Sequence, residues 1–98
     1  MINNIEFMAR RTNKELRTRI LTSFSNQPMP IREIAKKSKI DWYATERHLN
    51  YLKGRELVIE VFRHKLLRLF QLTELGKEVV SGLKNRKNSE IQKIIKRL

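Results

Sequence analysis

The sequence predicts a single, mainly α-helical domain that carries a small β-hairpin, in the order α-α-α-β-β-α. Two short amphipathic segments meet at a tight polar turn, and two short apolar runs then flank a basic tip. The chain is also strongly basic, because 22 Lys and Arg outweigh 10 Asp and Glu. Its 98 residues, 40% of them hydrophobic, are enough for one modest core.

Charge and composition restrict the function classes. A formal net charge of +12 favours a polyanionic partner, because neutralised phosphates release counterions; a merely well-solvated surface is the alternative. The chain has no cysteine, which excludes disulfides and thiolate metal sites. Its sequence contains neither an apolar run typical of a signal peptide nor the ~20 apolar residues of a membrane span. We therefore expect a protein of the cytoplasm or nucleoid.

Apolar residues at helical spacing predict the first two helices. The first covers residues 13–25 and can begin as early as Ile5, because the same period continues back to that residue. A proline-containing loop over residues 26–30 ends it. The second helix is short, residues 31–37, and Pro30 suits its start because a missing N–H costs nothing there.

A polar turn and a capping residue introduce the third helix. Residues 38–40 form the turn, and the Asp41 carboxylate can accept from the free N–H groups of the following helix, which runs to about residue 54. The predicted inner face of this helix consists of Thr45, His48, Leu49 and Leu52. Two helices joined by so short a turn form a helix-turn-helix unit, whose second helix lies in the DNA major groove.

Two strand-like runs and a fourth helix complete the domain. Branched and aromatic residues over 57–62 and 67–72 predict antiparallel strands, with a polar tip at residues 63–65. Thr73 suits the N-cap of the fourth helix, with Glu74 in its first turn. The predicted fold is therefore a winged helix-turn-helix, mainly α with a small β-hairpin wing.

The outward face of the third helix carries the predicted recognition residues. Arginine can donate two hydrogen bonds to guanine and asparagine can pair with adenine, so this face is equipped to read bases. The alternatives are a solvated helix face and, for the two aromatic residues, packing at the helix start. The predicted DNA contacts of this helix are Trp42, Tyr43, Glu46, Arg47, Asn50 and Lys53.

Basic residues of the hairpin predict a second contact with DNA. Such side chains can reach phosphates or enter a narrow minor groove, although a hairpin that only adds solubility is the alternative. The predicted wing contacts are Arg63, His64, Lys65 and Arg68.

The residue pattern does not indicate catalysis or a bound cofactor. His48 lies on the predicted inner side of the third helix and His64 in the hairpin, and neither has neighbours at metal-ligand spacing. The three glycines form no phosphate-binding loop, and no nucleophile motif is present. We expect neither a metal, a cofactor nor enzymatic activity.

The C-terminal segment predicts self-association. At ~100° per residue, the apolar stripes over 75–83 and 91–98 are offset by roughly a quarter turn, so one core cannot cover both. Residues 84–98 are therefore expected to extend the single 1–98 domain as a helix that pairs with a second copy. A frayed tail and a short helix folded back are the alternatives. The predicted dimer contacts are Leu67, Leu69, Ile91, Ile94, Ile95 and Leu98.

Two stretches resemble a known group of regulators. A-T-E-R-H-L-N-Y-L-K-G-R-E-L-V-I-E is similar to the recognition helix and following strand of ArsR-type and related archaeal winged-helix regulators. F-Q-L-T-E-L-G is similar to the strand-to-helix junction of the same superfamily, which includes small, often homodimeric proteins of archaea and their viruses. The resemblance implies DNA contacts by Tyr43, Glu46, Arg47, Asn50, Arg63, Lys65 and Arg68.

The chain departs from this group at two points. Glu56 stands where these regulators often have glycine, and the cysteine and histidine clusters of the metal-sensing members are missing. The sequence thus predicts a homodimeric, sequence-specific DNA-binding transcription regulator without a metal switch. The helix at 41–54 is expected in the major groove and the wing at 57–72 beside the backbone or minor groove. A sequence-tolerant chromatin or architectural protein and a protein-interaction module are the alternatives.

Overall fold

The computed structural model describes residues 12–85 and confirms the predicted fold class. This part of the chain forms four helices and a three-stranded antiparallel sheet. The helices are α1 (Asn13–Ser23), α2 (Ile31–Ser38), α3 (Trp42–Gly54) and α4 (Glu74–Asn85), and the strands are β1 (Met29–Pro30), β2 (Val58–His64) and β3 (Leu67–Leu72). Among the described helices, none is long and apolar enough to cross a lipid bilayer.

The core lies between the first three helices and the inner face of the sheet. Helices α1, α2 and α3 pack on one another, and the predicted inner face of α3 is 4% exposed or less at all four positions. The most deeply buried side chains include Ile20, Leu21, Ile34, Leu49, Leu52, Val58 and Phe70. This packing fixes α3 on the domain and leaves its opposite face toward solvent.

Side-chain caps set where the helices begin. The Asp41 carboxylate accepts a 2.9 Å hydrogen bond from the Ala44 backbone N–H, which confirms the predicted N-cap of α3. Thr12 and Glu15 form a reciprocal capping box at the start of α1. Helix α1 ends two residues earlier than predicted, because the backbone of Phe24 is already extended.

The sequence predicts a loop over residues 26–30, but its last two residues form a strand. Met29 pairs with Phe70 and Pro30 pairs with Leu69 in antiparallel register, which makes β3 the central strand of the sheet. Proline is tolerated here because β1 is an edge strand. Two residues are too few to show strand periodicity, so only the pairing with β3 identifies β1.

The hairpin has a shorter tip than the sequence predicts. Strand β2 continues through Arg63 and His64, which were expected at the tip, and only Lys65 and Leu66 connect the two strands. A bulge at Val61 interrupts the pairing between β2 and β3 and increases the local twist. The tip therefore presents a leucine beside a lysine instead of three polar residues.

The end of α3 shows why glycine is favoured at the position of Glu56. The Glu56 N–H donates to the Lys53 carbonyl at 3.0 Å, and the Leu57 N–H donates to the Leu52 carbonyl at 2.9 Å. This pair of bonds is a Schellman motif, which requires left-handed backbone at the residue after the cap. Glu56 has a φ of 63°, a conformation that strains a residue with a Cβ.

Replacing Glu56 by glycine is expected to stabilise the fold by about 1 kcal/mol, because glycine adopts left-handed backbone without the Cβ clash. Chemical denaturation of the two proteins measures the difference. The matched control is Glu56→Ala, which removes the carboxylate but keeps the strain. If the glycine and alanine variants are equally stable, the backbone of residue 56 is not the source of the effect.

Candidate nucleic-acid interface

Helix α3 presents a polar face to solvent on the side away from the core. Arg47 is exposed and Tyr43 is 74% exposed, so both predicted contact residues are open to a partner. Trp42 is half-buried and packs against the core, with its ring edge-on to Tyr43 at 5.3 Å between centroids. Of the two aromatic residues, Trp42 mainly anchors the start of α3 and Tyr43 faces outward.

An ion cluster around the buried Arg68–Glu60 pair joins α3 to the wing. We call Glu46, Asn50, Lys53, Glu60 and Arg68 the Arg68 cluster. Arg68 donates twice to the Glu60 carboxylate, from Nε at 2.8 Å and from Nη2 at 3.1 Å. The same guanidinium donates to Glu46 and Asn50 on α3, both at 3.2 Å. Lys53 also donates to Glu60, at 3.0 Å. Bidentate, buried pairs of this kind fix geometry as well as charge.

The structure does not place Arg68 in an open position for the predicted DNA contact. Arg68 is only 7% exposed, and its guanidinium is held by the cluster. Because side chains alternate along a strand, Arg68 of β3 lies on the same face as Phe70 and Leu72, toward the domain. That alternation was visible in the sequence. Glu60, which sequence reasoning did not single out, is the acidic partner that makes an inward arginine tolerable.

The other members of the cluster divide between the domain and the surface. Asn50 is exposed although its amide oxygen accepts from Arg68, and Glu46 is half-buried. The Lys53 side chain is 46% exposed while it pairs with Glu60. These three predicted DNA contacts are therefore partly engaged within the domain, whereas Arg47 and Tyr43 are open on α3.

The charges of the cluster stabilise one another. Hydrogen bonding from Arg68, reinforced by Lys53, lowers the pKa of Glu60 to about 2, although burial acts in the opposite direction. The Glu60 carboxylate in turn raises the pKa of Arg68. Two carboxylates and two cations give the cluster no net formal charge. Among the predicted contact residues, the net positive charge therefore comes from Arg47 and from the wing.

Exposed basic residues surround the wing tip. Arg63, His64 and Lys65 are all exposed, and Leu66 beside them is 91% exposed. A groove runs between the tip and the N-terminal ends of α2 and α3. Its lining includes Arg32, Trp42, Tyr43, Leu66 and Leu67. The tip and the start of α3 therefore lie on the same side of the domain.

Arg17 of α1 supports α3 from the opposite side, a role that sequence reasoning did not assign. Its Nε donates to Nδ1 of His48 at 3.3 Å, and its guanidinium lies 3.5 Å from the centre of the Tyr51 ring. Burial lowers the pKa of His48, and the charges of Arg17 and Arg47 lower it further, which favours the neutral imidazole. Within residues 12–85, no group of three or more His, Cys, Asp or Glu could hold a metal ion.

Comparisons with known proteins agree with this architecture. A family model described as "Winged helix-turn-helix" matches residues 10–91. No curated protein matches the chain. Among solved structures, the fold is similar to a protein of unknown function from Listeria innocua, with 24% identity and a TM-score of 0.64. That match covers 81% of this chain but only 56% of the Listeria protein.

Two further solved structures, both of bacterial proteins, have a similar fold. The Adhesin competence repressor (AdcR) from Streptococcus pyogenes is 19% identical, with a TM-score of 0.61 over 97% of this chain and 85% of that one. A mutant of MepR from a multidrug-resistant S. aureus clinical isolate is 17% identical, with a TM-score of 0.62 over 93% of this chain and 68% of that one. At these identities the likeness concerns the fold alone.

Proposed function

Because this chain belongs to the winged helix-turn-helix family, we propose that it is a double-stranded DNA-binding transcription regulator and not an enzyme. The main support for the proposal is the relative position of α3 and the wing. Tyr43 at the start of α3 and Leu66 at the wing tip line one groove, and Arg47 lies one turn after Tyr43 on the exposed face of the helix. The Arg68 cluster holds α3 and the wing together. A net charge of +12 suits a phosphate-rich partner.

In this proposal the two elements have different tasks. Helix α3 enters the major groove, where Arg47 donates to a base edge and Tyr43 contacts the backbone or a thymine methyl. Arg63 and Lys65 bind phosphates, which sets the position of the domain without reading sequence. Asn50 and Lys53 have exposed atoms that can add contacts, while their bonds within the Arg68 cluster fix their orientation.

Replacing Arg47 by alanine is expected to weaken binding to the preferred site by ~1–3 kcal/mol and to relax the preference at one base pair. Selection from a random DNA pool, repeated with both proteins, measures the preference. The control is Lys14→Ala, which removes one exposed positive charge on α1 instead of α3. An unchanged preference in the Arg47 variant would contradict base reading by this residue.

We also infer that two copies pair, as the sequence predicts. Of the predicted contacts, Leu67 is 47% exposed and Leu69 is half-buried, whereas the four residues between 91 and 98 lie outside the described part of the chain. Ile59 and Phe62 are also about half exposed and share the outer face of the sheet with Leu67. This apolar surface supports a covering partner. A two-fold dimer would place two α3 helices ~34 Å apart on one face of DNA, and light scattering of the purified chain tests the pairing.

The alternatives make different predictions in the same assays. A sequence-tolerant architectural protein would bind selected and random DNA equally well, and its affinity would depend only on salt. A protein-interaction module would give no DNA complex at physiological salt. The exposed Arg47 in the centre of α3 favours the sequence-reading proposal over both.

A further inference from the structure

The wing tip carries an apolar side chain that its own domain does not cover. Leu66 is 91% exposed, more than any other large hydrophobic residue in the described part of the chain. It sits at the apex of a two-residue connection, where the next residues belong to the paired strands. A side chain at such an apex projects away from the core, so only a binding partner can bury it.

The surroundings of Leu66 indicate what that partner is. Lys65 precedes it directly, and Arg63 and His64 lie exposed on the adjoining end of β2. An apolar side chain flanked by basic residues matches a surface that is negatively charged at its edges and apolar within. The minor groove of DNA has this character, with phosphates along both rims and stacked bases and sugars between them.

Hydrogen bonds also fix the orientation of the wing relative to α3. The Arg68 cluster ties β3 and β2 to α3 through hydrogen bonds of 2.8–3.2 Å, two residues beyond the tip. The start of α3 and the tip line the same groove, so both elements reach one face of a duplex. Because the bonds to α3 fix the orientation of the wing, the tip can deform the DNA without itself bending away from it.

We propose that Leu66 is a wedge that enters the minor groove, separates a base step and bends the DNA. This inference rests on the proposed DNA-binding function and adds a second element that selects the sequence. Apolar wedges of this kind partly unstack a base step and kink the duplex by roughly 20–90° toward the major groove. Because pyrimidine–purine steps unstack most easily, the wedge predicts a preference for TA or CA steps under the wing. The specificity would thus include positions that α3 does not touch.

The test measures bending and affinity together. The probe is a duplex of about 30 base pairs with a fluorescent donor and acceptor at its ends. It carries the sequence that the wild-type chain enriches from a random pool, or repeated TA steps if none is enriched. Leu66→Ala is expected to remove most of the bend and to weaken binding about 5–10-fold, because the wedge and its apolar contact are lost. Leu66→Phe, which keeps an apolar wedge, is expected to retain the bend.

Two controls separate the wedge from other causes. Leu75→Ala truncates an exposed leucine of α4, outside the wing, and should change neither quantity. Lys65→Ala should lower the affinity and reduce the log–log salt slope by roughly 0.9 while leaving the bend intact, since it removes a phosphate contact only.

The outcomes separate a failure of the wedge from a failure of DNA binding. If the wild type binds and bends the probe and Leu66→Ala bends it equally, the wedge is overturned while DNA binding stands. If Leu66→Ala instead halves the molecular mass in light scattering with an unchanged bend, the tip is a dimer contact and the wedge is again overturned. If the wild type forms no complex with any duplex at physiological salt, both proposals fail.

Discussion

Replacing Arg68 by alanine is expected to destabilise the protein by about 3 kcal/mol, the typical loss when one partner of a buried ion pair is removed. The change leaves the Glu60 carboxylate buried with only Lys53 to pair it. It also removes the bonds that connect β3 to Glu46 and Asn50 of α3. Chemical denaturation measures the loss, and DNA affinity should fall with it because the wing is no longer held on α3.

A paired replacement and an acid titration serve as controls. Arg68→Met combined with Glu60→Met should recover most of the stability, because apolar side chains of similar size replace buried ion pairs well. In the wild type the folded pKa of Glu60 lies below its ordinary 4.5, at about 2. The stability that Glu60 contributes is thus present above pH 4.5 and is lost as the pH falls toward 2. A loss below about 1 kcal/mol for Arg68→Ala, with an unchanged acid profile, would contradict this account of the cluster.

Replacing Gly76 by alanine is expected to destabilise the protein by about 2–3 kcal/mol, as overpacking of a tight contact does. A Cβ on Gly76 would overlap the backbone carbonyl oxygen of Leu57 and press on Leu72. The same Leu57 carbonyl accepts from the Thr73 N–H at 3.1 Å, and the Thr73 hydroxyl accepts from the Gly76 N–H at 3.0 Å. The start of α4 therefore cannot move away without breaking its N-cap.

The matched control for this change is Gly54→Ala. A Cβ at Gly54, the last residue of α3, meets no atom within 4 Å, and its φ is not positive. This substitution should be neutral or stabilise the protein by up to roughly 1 kcal/mol, because alanine favours helix. Thermal or chemical unfolding of both variants decides the matter. If the two alanine variants are equally stable, close packing does not explain why residue 76 is glycine.

Much of this fold can be predicted from sequence because its signals are local. The N-caps at Asp41 and Thr73 depend on residue types adjacent to amphipathic segments, and the structure confirms both. The buried face of α3 follows from helical spacing alone. Strand β1 could not be predicted, since its two residues become a strand only by pairing with β3. The residues at the wing tip also differ from the prediction, because the register with β3 and a bulge determine where β2 ends.

The candidate site was harder to predict because a sequence does not distinguish an exposed basic residue from a buried one. Arg47, Arg63 and Arg68 all suggest DNA contacts, but only the fold separates an exposed arginine from one that bonds to Glu60 across the sheet. The alternation that turned Leu67 outward also turned Arg68 inward, yet charge favoured the opposite interpretation. Long-range partners of this kind become visible only when the strands are in register.

We propose that one face of this domain binds double-stranded DNA in a sequence-specific manner. The most direct test of this proposal is a competition measurement at one fixed, physiological salt concentration, with the DNA sequence selected by the chain set against random DNA of equal length. We expect the selected sequence to bind at least about 1,000-fold more tightly. Equal affinities, or no complex with either DNA, would contradict it.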